Sequence, residues 1–314
     1  MMPWLLAALG LVILLLAGDA LVRGAVNLSL RMGIPALIVS LTVVAFGTSA
    51  PELLISLSAL FDGMPGLALG NVVGSNTANV LLVLGLPALI ATMPTSGCDT
   101  RKSYAMMLAA TLLFIALAWT GPFRFGTGII LLAALALVLG LQIRETLAHR
   151  RTDRDAIETV EGADPALPGW RIAIFLLIGL AGLPLGAELL VRNASIIARG
   201  FGVSDTVIGL TLVAVGTSLP ELATTGMAAL RRQADVALGN VIGSNMFNLL
   251  AIIGVTSLFG QIPVAPEVLR FDLWVMLGAT VLLVPFVFGS RDITRPWGVA
   301  LTALYLGYIT LLLV

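Results

Sequence analysis

The chain has 314 residues, of which 59% are hydrophobic and only 11% charged, with a mean hydropathy of +1.06 and a formal net charge of zero. Soluble domains carry roughly 25% charged residues, so this composition excludes a water-soluble fold, and the charge balance gives no global field for a nucleic acid or an acidic partner. One cysteine, Cys98, and one histidine, His149, exclude a disulfide framework and a Cys/His metal cluster.

Apolar runs of about 20 residues, enough to cross a bilayer as helix, recur along the whole chain. They predict ten membrane spans, over 3–25, 34–60, 68–93, 104–121, 126–142, 170–191, 204–229, 237–259, 271–289 and 296–314. The first run, "MMPWLLAALGLVILLL", has no Lys or Arg ahead of it and no convincing cleavage site, so it reads as a helix and not a removable signal. The long polar stretch at 144–170 reads as a solvated linker. The expected fold is therefore an all-α polytopic membrane protein, with one five-helix unit over 1–142, a cytoplasmic linker over 143–169 and a second unit over 170–314.

The two units resemble each other. A constant offset of 169 aligns "DALVRGAVN" (19–27) with "ELLVRNASI" (188–196), "GTSAPE" (47–52) with "GTSLPE" (216–221), and "GNVVGSNTAN" (70–79) with "GNVIGSNMFN" (239–248). A register kept across three helices marks internal duplication. The offset spans five helices, an odd number, so the second unit enters the membrane upside down. That predicts two inverted five-helix repeats with a site at the midplane between them. With the N-terminus outside, thirteen of the 17 basic residues fall on the cytoplasmic side, so both termini are expected outside and the linker inside.

Chemistry concentrates in the repeated segments. Ser49, Glu52 and Ser56 share one face of span two, and Ser218, Glu221 and Thr225 repeat that spacing in span seven. Asn71, Ser75 and Asn79 form a stripe in span three, mirrored by Asn240, Ser244 and Asn248 in span eight. A charge at the centre of a span costs roughly 2.5–3.5 kcal/mol even on a lenient scale, and neither glutamate has a basic residue in its helical stretch. They need a compensating cation, unless both are protonated and merely hydrogen-bonded. Pro51 and Pro220 offer no N–H to the carbonyls of Gly47 and Gly216, and backbone so freed is tolerated only beside a cavity. Carboxylate and carbonyl oxygens together suit calcium or sodium and argue against zinc or copper. "GNVVG" and "GNVIG" also read as close-packing motifs. Asp19 with Arg23, and Glu188 with Arg192, read as structural i, i+4 ion pairs near helix ends.

The paired motifs "GTSAPE…GNVVGSNTAN" and "GTSLPE…GNVIGSNMFN" resemble the two alpha repeats of the calcium/cation antiporter superfamily, most closely its prokaryotic sodium/calcium exchangers. The resemblance implies that Glu52 and Glu221 ligate calcium and take part in binding sodium, with the carbonyls of Thr48 and Thr217 completing the calcium site. It also implies sodium-site positions at Ser49, Ser75, Asn79, Ser218 and Ser244. Asn248 stands where some members, including the potassium-dependent branch, carry aspartate, which suggests potassium-independent transport. Gly74 and Gly243 stand where the proton-coupled branch typically has glutamate. By the same resemblance, spans one and six slide as a gating pair and three sodium ions exchange for one calcium.

The expected function is thus sodium/calcium antiport by alternating access, in the plasma (inner) membrane, with proton-coupled exchange of calcium or another divalent cation as the alternative. No enzyme activity, cofactor or nucleic-acid partner is expected; the partners are calcium, sodium and the lipid bilayer, and the unit is a monomer. An intramembrane hydrolase fits poorly, because Asp19 has no matching aspartate in a GxGD setting and His149 lies in the linker. A passive channel is disfavoured by the opposed duplication.

Overall fold

The computed structural model describes residues 1–149, 167–202, 214–289 and 291–313. Within them every regular element is helical: α1 (Met2–Met32), α2 (Ala36–Phe61), α3 (Pro65–Ile90), α4 (Arg101–Trp119), α5 (Phe125–His149), α6 (Gly169–Gly200), α7 (Ala214–Thr217 and Leu219–Leu230), α8 (Ala234–Phe259), α9 (Val268–Val287) and α10 (Arg295–Leu313). Eight helices among the described residues, α1–α6, α8 and α9, are long and apolar enough to cross a membrane. The chain is a multi-pass membrane protein.

The centre is built from α3 and α8. Their most apolar stretches are 78% and 83% buried, against 17% for α5 and 22% for α6, whose apolar side chains face outward. On α8, small residues allow α2 to approach: a methyl group on Gly243 would lie 2.6 Å from both the Leu41 carbonyl oxygen and the Ala45 Cβ. The close-packing reading of "GNVIG" holds for this glycine. Outside the core, α1 and α6 run against each other along most of their length. Glycines again set the approach, since a methyl on Gly10 would lie 2.6 Å from the Leu190 nitrogen.

Helices that carry the motifs are interrupted. α2 and α7 each break at the motif serine, Ser49 (φ −86°, ψ 0°) and Ser218 (φ −89°, ψ 5°). Pro51 and Pro220 then sit in the first turn of the restarted helix, where a missing N–H is least costly. Wide π turns occupy Ser40–Val44 of α2, Asn79–Val83 of α3 and Phe247–Ile252 of α8; such turns cluster at functional sites. Two short antiparallel bridges, Met93 with Ile293 and Phe123 with Ile262, tie the loops of one half to those of the other.

Several expectations need correction. The first span continues past residue 25 to Met32, where Gly33 (φ 63°) ends it in the left-handed conformation. The sixth runs over Gly169–Gly200 and not 170–191. In both, packing of the helix against its partner carries it past the end of the apolar run. Asp19 and Glu188 are consequently mid-helix residues. Asp19 pairs with Arg23 at 2.9 Å, whereas Glu188 and Arg192, both exposed, make no ion pair among the described residues. At such positions the side-chain entropy lost on pairing offsets the attraction. Residues 143–149, expected in the linker, continue α5. The rest of that linker over 150–166, and residues 203–213 at the start of the seventh expected span, lie outside the described residues.

Candidate ion site

The two helix breaks and the two central helices bring the repeated polar residues to one place. Glu52 and Glu221 are both 0% exposed, and each lies within electrostatic reach of the other. Ser49 donates its hydroxyl to Glu221 Oε1 at 3.4 Å, crossing from the first motif to the second acid. Thr48 donates to Asn240 Oδ1 at 3.2 Å, and its hydroxyl lies 3.4 Å from that of Ser244. Asn248 donates from Nδ2 to Ser75 Oγ at 3.0 Å. Asn79, in the first turn of its π segment, donates to Asn245 Oδ1 at 3.1 Å. All of these site residues are buried.

Each acid is braced from behind in the same way. Asn71 donates to the Glu52 carbonyl (3.3 Å) and the Ser56 hydroxyl (3.2 Å). Asn240 donates to the Glu221 carbonyl (3.3 Å) and the Thr225 hydroxyl (3.1 Å). The polar stripes therefore divide their work: Asn71, Asn240, Ser56 and Thr225 fix the backbone that carries the acids, leaving both carboxylate oxygens of Glu52 and one of Glu221 uncommitted.

That uncommitted set defines the chemistry. Both carboxylate oxygens of Glu52, Oε2 of Glu221, Oδ1 of Asn79 and of Asn248, and the Ser218 hydroxyl are buried without a hydrogen-bond partner in any other described residue. Buried oxygens without donors are costly. Five of these six atoms belong to carboxylates or amide carbonyls, which accept and do not donate when the acids are ionised. A cation of the hard, oxygen-seeking kind satisfies them together.

The environment is not symmetric. Thr48 is 1% exposed, but its counterpart Thr217 is only half-buried and lines a cavity of about 390 Å³. Pro51, Leu54, Ile55, Glu188 and Pro220 share that wall. The cavity thus reaches the site from the α6 side, between α2 and α7.

Sequence reasoning missed Asn76 and Asn245. Asn76 donates to the Asn245 carbonyl at 3.2 Å and Asn245 returns a bond to the Asn76 carbonyl at 3.4 Å, clamping α3 to α8 beside Asn79. The matching "GSN" triplets held that signal, but these asparagines lie off the i, i+4 stripe. Arg231, which bonds to Asp19 on α1, was also missed.

Comparison with known proteins gives the family and the fold. The family described as "Sodium/calcium exchanger protein" matches residues 2–144 and 171–314. The sodium/calcium exchanger MaX1 of Methanosarcina acetivorans is 33% identical, over 98% of both chains. The inner membrane protein YrbG of Escherichia coli is 32% identical, over 98% of this chain and 95% of its own. Solved structures of the sodium–calcium exchanger NCX_Mj superpose with a TM-score of 0.84 at 32% identity, covering 99% of this chain and 98% of theirs. The motifs, the fold and these matches agree that the chain belongs to the sodium/calcium exchanger family of membrane transporters.

Proposed function

We propose that the protein is a secondary active antiporter that exchanges sodium for calcium by alternating access. The observation that carries the reading is the pair of fully buried glutamates, one from each repeat, of whose four carboxylate oxygens only Glu221 Oε1 takes a hydrogen bond among the described residues, from Ser49 at 3.4 Å. Glu52 and Glu221 supply −2, which one calcium ion neutralises. The carbonyls of Thr48 and Thr217 complete the calcium shell. Ser49, Ser75, Asn79, Ser218, Ser244 and Asn248 add oxygens that suit sodium, and sodium ions entering the same cluster displace calcium by competing for its charge.

Ten spans in two inverted five-helix repeats, over 1–142 and 170–314, hold this site as a monomer, with both termini outside and the intervening linker cytoplasmic. The matched braces on the two acids support the repeat. The cavity beside Thr217 gives ions a route from one side, whereas the cavity between α1 and α7 is smaller, about 180 Å³, and lined by apolar residues alone. With α6 running outward, that route opens to the exterior.

Three sodium ions per calcium would leave one net charge moved per cycle. A tenfold sodium gradient then supplies roughly 4 kcal/mol, at about 1.4 kcal/mol per decade, and 100 mV adds about 2.3 kcal/mol. Together they hold a calcium gradient of roughly ten-thousand- to a hundred-thousand-fold.

Calcium-45 flux in proteoliposomes tests the coupling. Uptake should follow an imposed sodium gradient and a potential. Flux that is indifferent to sodium but driven by a pH gradient would replace this reading with proton-coupled exchange.

A further inference from the structure

The duplication that produced matching ion-binding helices left one ion pair unmatched. Asp19, midway along α1, accepts hydrogen bonds from Arg23 one turn away and from Arg231 at the end of α7, 212 residues distant in sequence. Asp19 and Arg231 are well covered, with side chains 20% and 27% exposed, so their attraction is less screened than that of a surface pair.

Under the repeat offset (188 − 19 = 169 and 231 − 62 = 169), the counterparts of Asp19 and Arg231 are Glu188 and Asp62. The backbone respects this equivalence, because the next residues, Gly63 (φ 75°) and Arg232 (φ 55°), both take the left-handed turn that closes the helix. One side of the molecule therefore pairs opposite charges where the other holds two acids. Glu188 is exposed on the wall of the 390 Å³ cavity and makes no ion pair among the described residues.

The packing differs in the same sense. Gly18, beside Asp19, lies against α7, where an added methyl would come within 3.0 Å of the Ala223 carbonyl oxygen. Its counterpart Ala187 borders the open cavity together with Pro51 and Leu54. Thus α1 packs along the second segment of α7, leaving only an apolar cavity of about 180 Å³, while α6 touches α2 at Ala45–Thr48 and stands off Ala50–Phe61. Inverted repeats exchange these two arrangements when the carrier converts. Conversion would part Asp19 from Arg231 and carry Glu188 toward Asp62.

We propose that the Asp19–Arg231 pair is a latch that holds the carrier in the state with its Glu188-side cavity open, and that the acids Glu188 and Asp62 oppose the alternative state. The proposal rests on the alternating-access reading. It makes the resting orientation a consequence of four charged positions outside the ion site.

The test uses the full chain in proteoliposomes, with Cys98→Ala and a reporter Leu54→Cys on the cavity wall, labelled by a membrane-impermeant thiol reagent. Asp19→Asn or Arg231→Gln should slow labelling at least about fivefold, the low end of typical coupling between two states, and Arg231→Lys should preserve it. Asp62→Arg should also slow labelling, by giving Glu188 a partner that holds the cavity shut, and adding Glu188→Gln should restore it. A purely structural Asp19 would lower thermal stability without producing the Asp62–Glu188 dependence. Labelling that responds to sodium and calcium but ignores both Asp19→Asn and Arg231→Gln would overturn the latch. So would an Asp62→Arg effect that survives Glu188→Gln. A reporter protein whose labelling responds to neither ion would overturn alternating access, and the latch with it.

Discussion

Replacing Asn240 with alanine removes three buried bonds at once. Nδ2 loses the Glu221 carbonyl at 3.3 Å and the Thr225 hydroxyl at 3.1 Å, and Oδ1 no longer accepts from Thr48 at 3.2 Å. Hydrogen bonds between membrane helices average about 0.6 kcal/mol, so the three together are worth about 2 kcal/mol. Thr48 keeps a second acceptor in the Ala45 carbonyl at 3.3 Å, which limits the damage on that side. Asn71, its counterpart, makes the two bracing bonds alone, so Asn71→Ala should cost about 1 kcal/mol. At roughly 2–4 °C per kcal/mol, Asn240→Ala should lower the melting temperature in detergent by about 4–8 °C, twice the loss from Asn71→Ala. Calcium affinity, read from the calcium dependence of uptake, should fall with it, since the backbone at Glu221 loses its support. A variant that melts with the parent, or an Asn71→Ala variant that melts lower than Asn240→Ala, would refute the bracing scheme.

Two further predictions concern packing and reactivity. Gly243→Ala places a methyl 2.6 Å from the Leu41 carbonyl oxygen and the Ala45 Cβ, so it should cost about 1–3 kcal/mol, visible as a lower melting temperature; a neutral result would mean that α2 and α8 separate freely. Cys98 lies in the loop after α3, where burial first, then the Asp235 and Asp292 carboxylates, push its thiol pKa up. The thiolate is the reactive form and is scarce at neutral pH, so iodoacetamide should label Cys98 far more slowly than a free thiol and faster only in strong alkali. Labelling at the free-thiol rate would contradict that environment.

Much of the site was legible because its residues obey helical spacing within single elements. The i, i+3 and i, i+4 stripes through Glu52, Glu221, Ser75, Ser244, Asn79 and Asn248, kept at one offset, marked them before any geometry was known. What pattern reading missed was contact between elements. Asn76 and Asn245 lie off the stripe and matter because α3 and α8 touch there. Arg231 sits after a helix end, and its partner Asp19 comes from a helix in the other half of the chain. The π turns at Asn79 and Phe247 leave no compositional trace, since each adds one residue to a turn of otherwise ordinary apolar helix. The lengths of α1 and α6 were misjudged for a related reason: the packing of these two helices against each other, which carries each beyond its apolar run, does not show in either run alone.

Sodium-driven calcium-45 uptake, compared between the native protein and the Glu52→Gln and Glu221→Gln variants, tests the central pair most directly. Each variant keeps the shape of the side chain and removes one of the two charges. Either should lower calcium affinity by more than the roughly 10- to 100-fold lost with a mere supporting group, leaving a folded but inactive carrier. Native uptake by both variants would contradict the assignment of these acids as the cation's ligands.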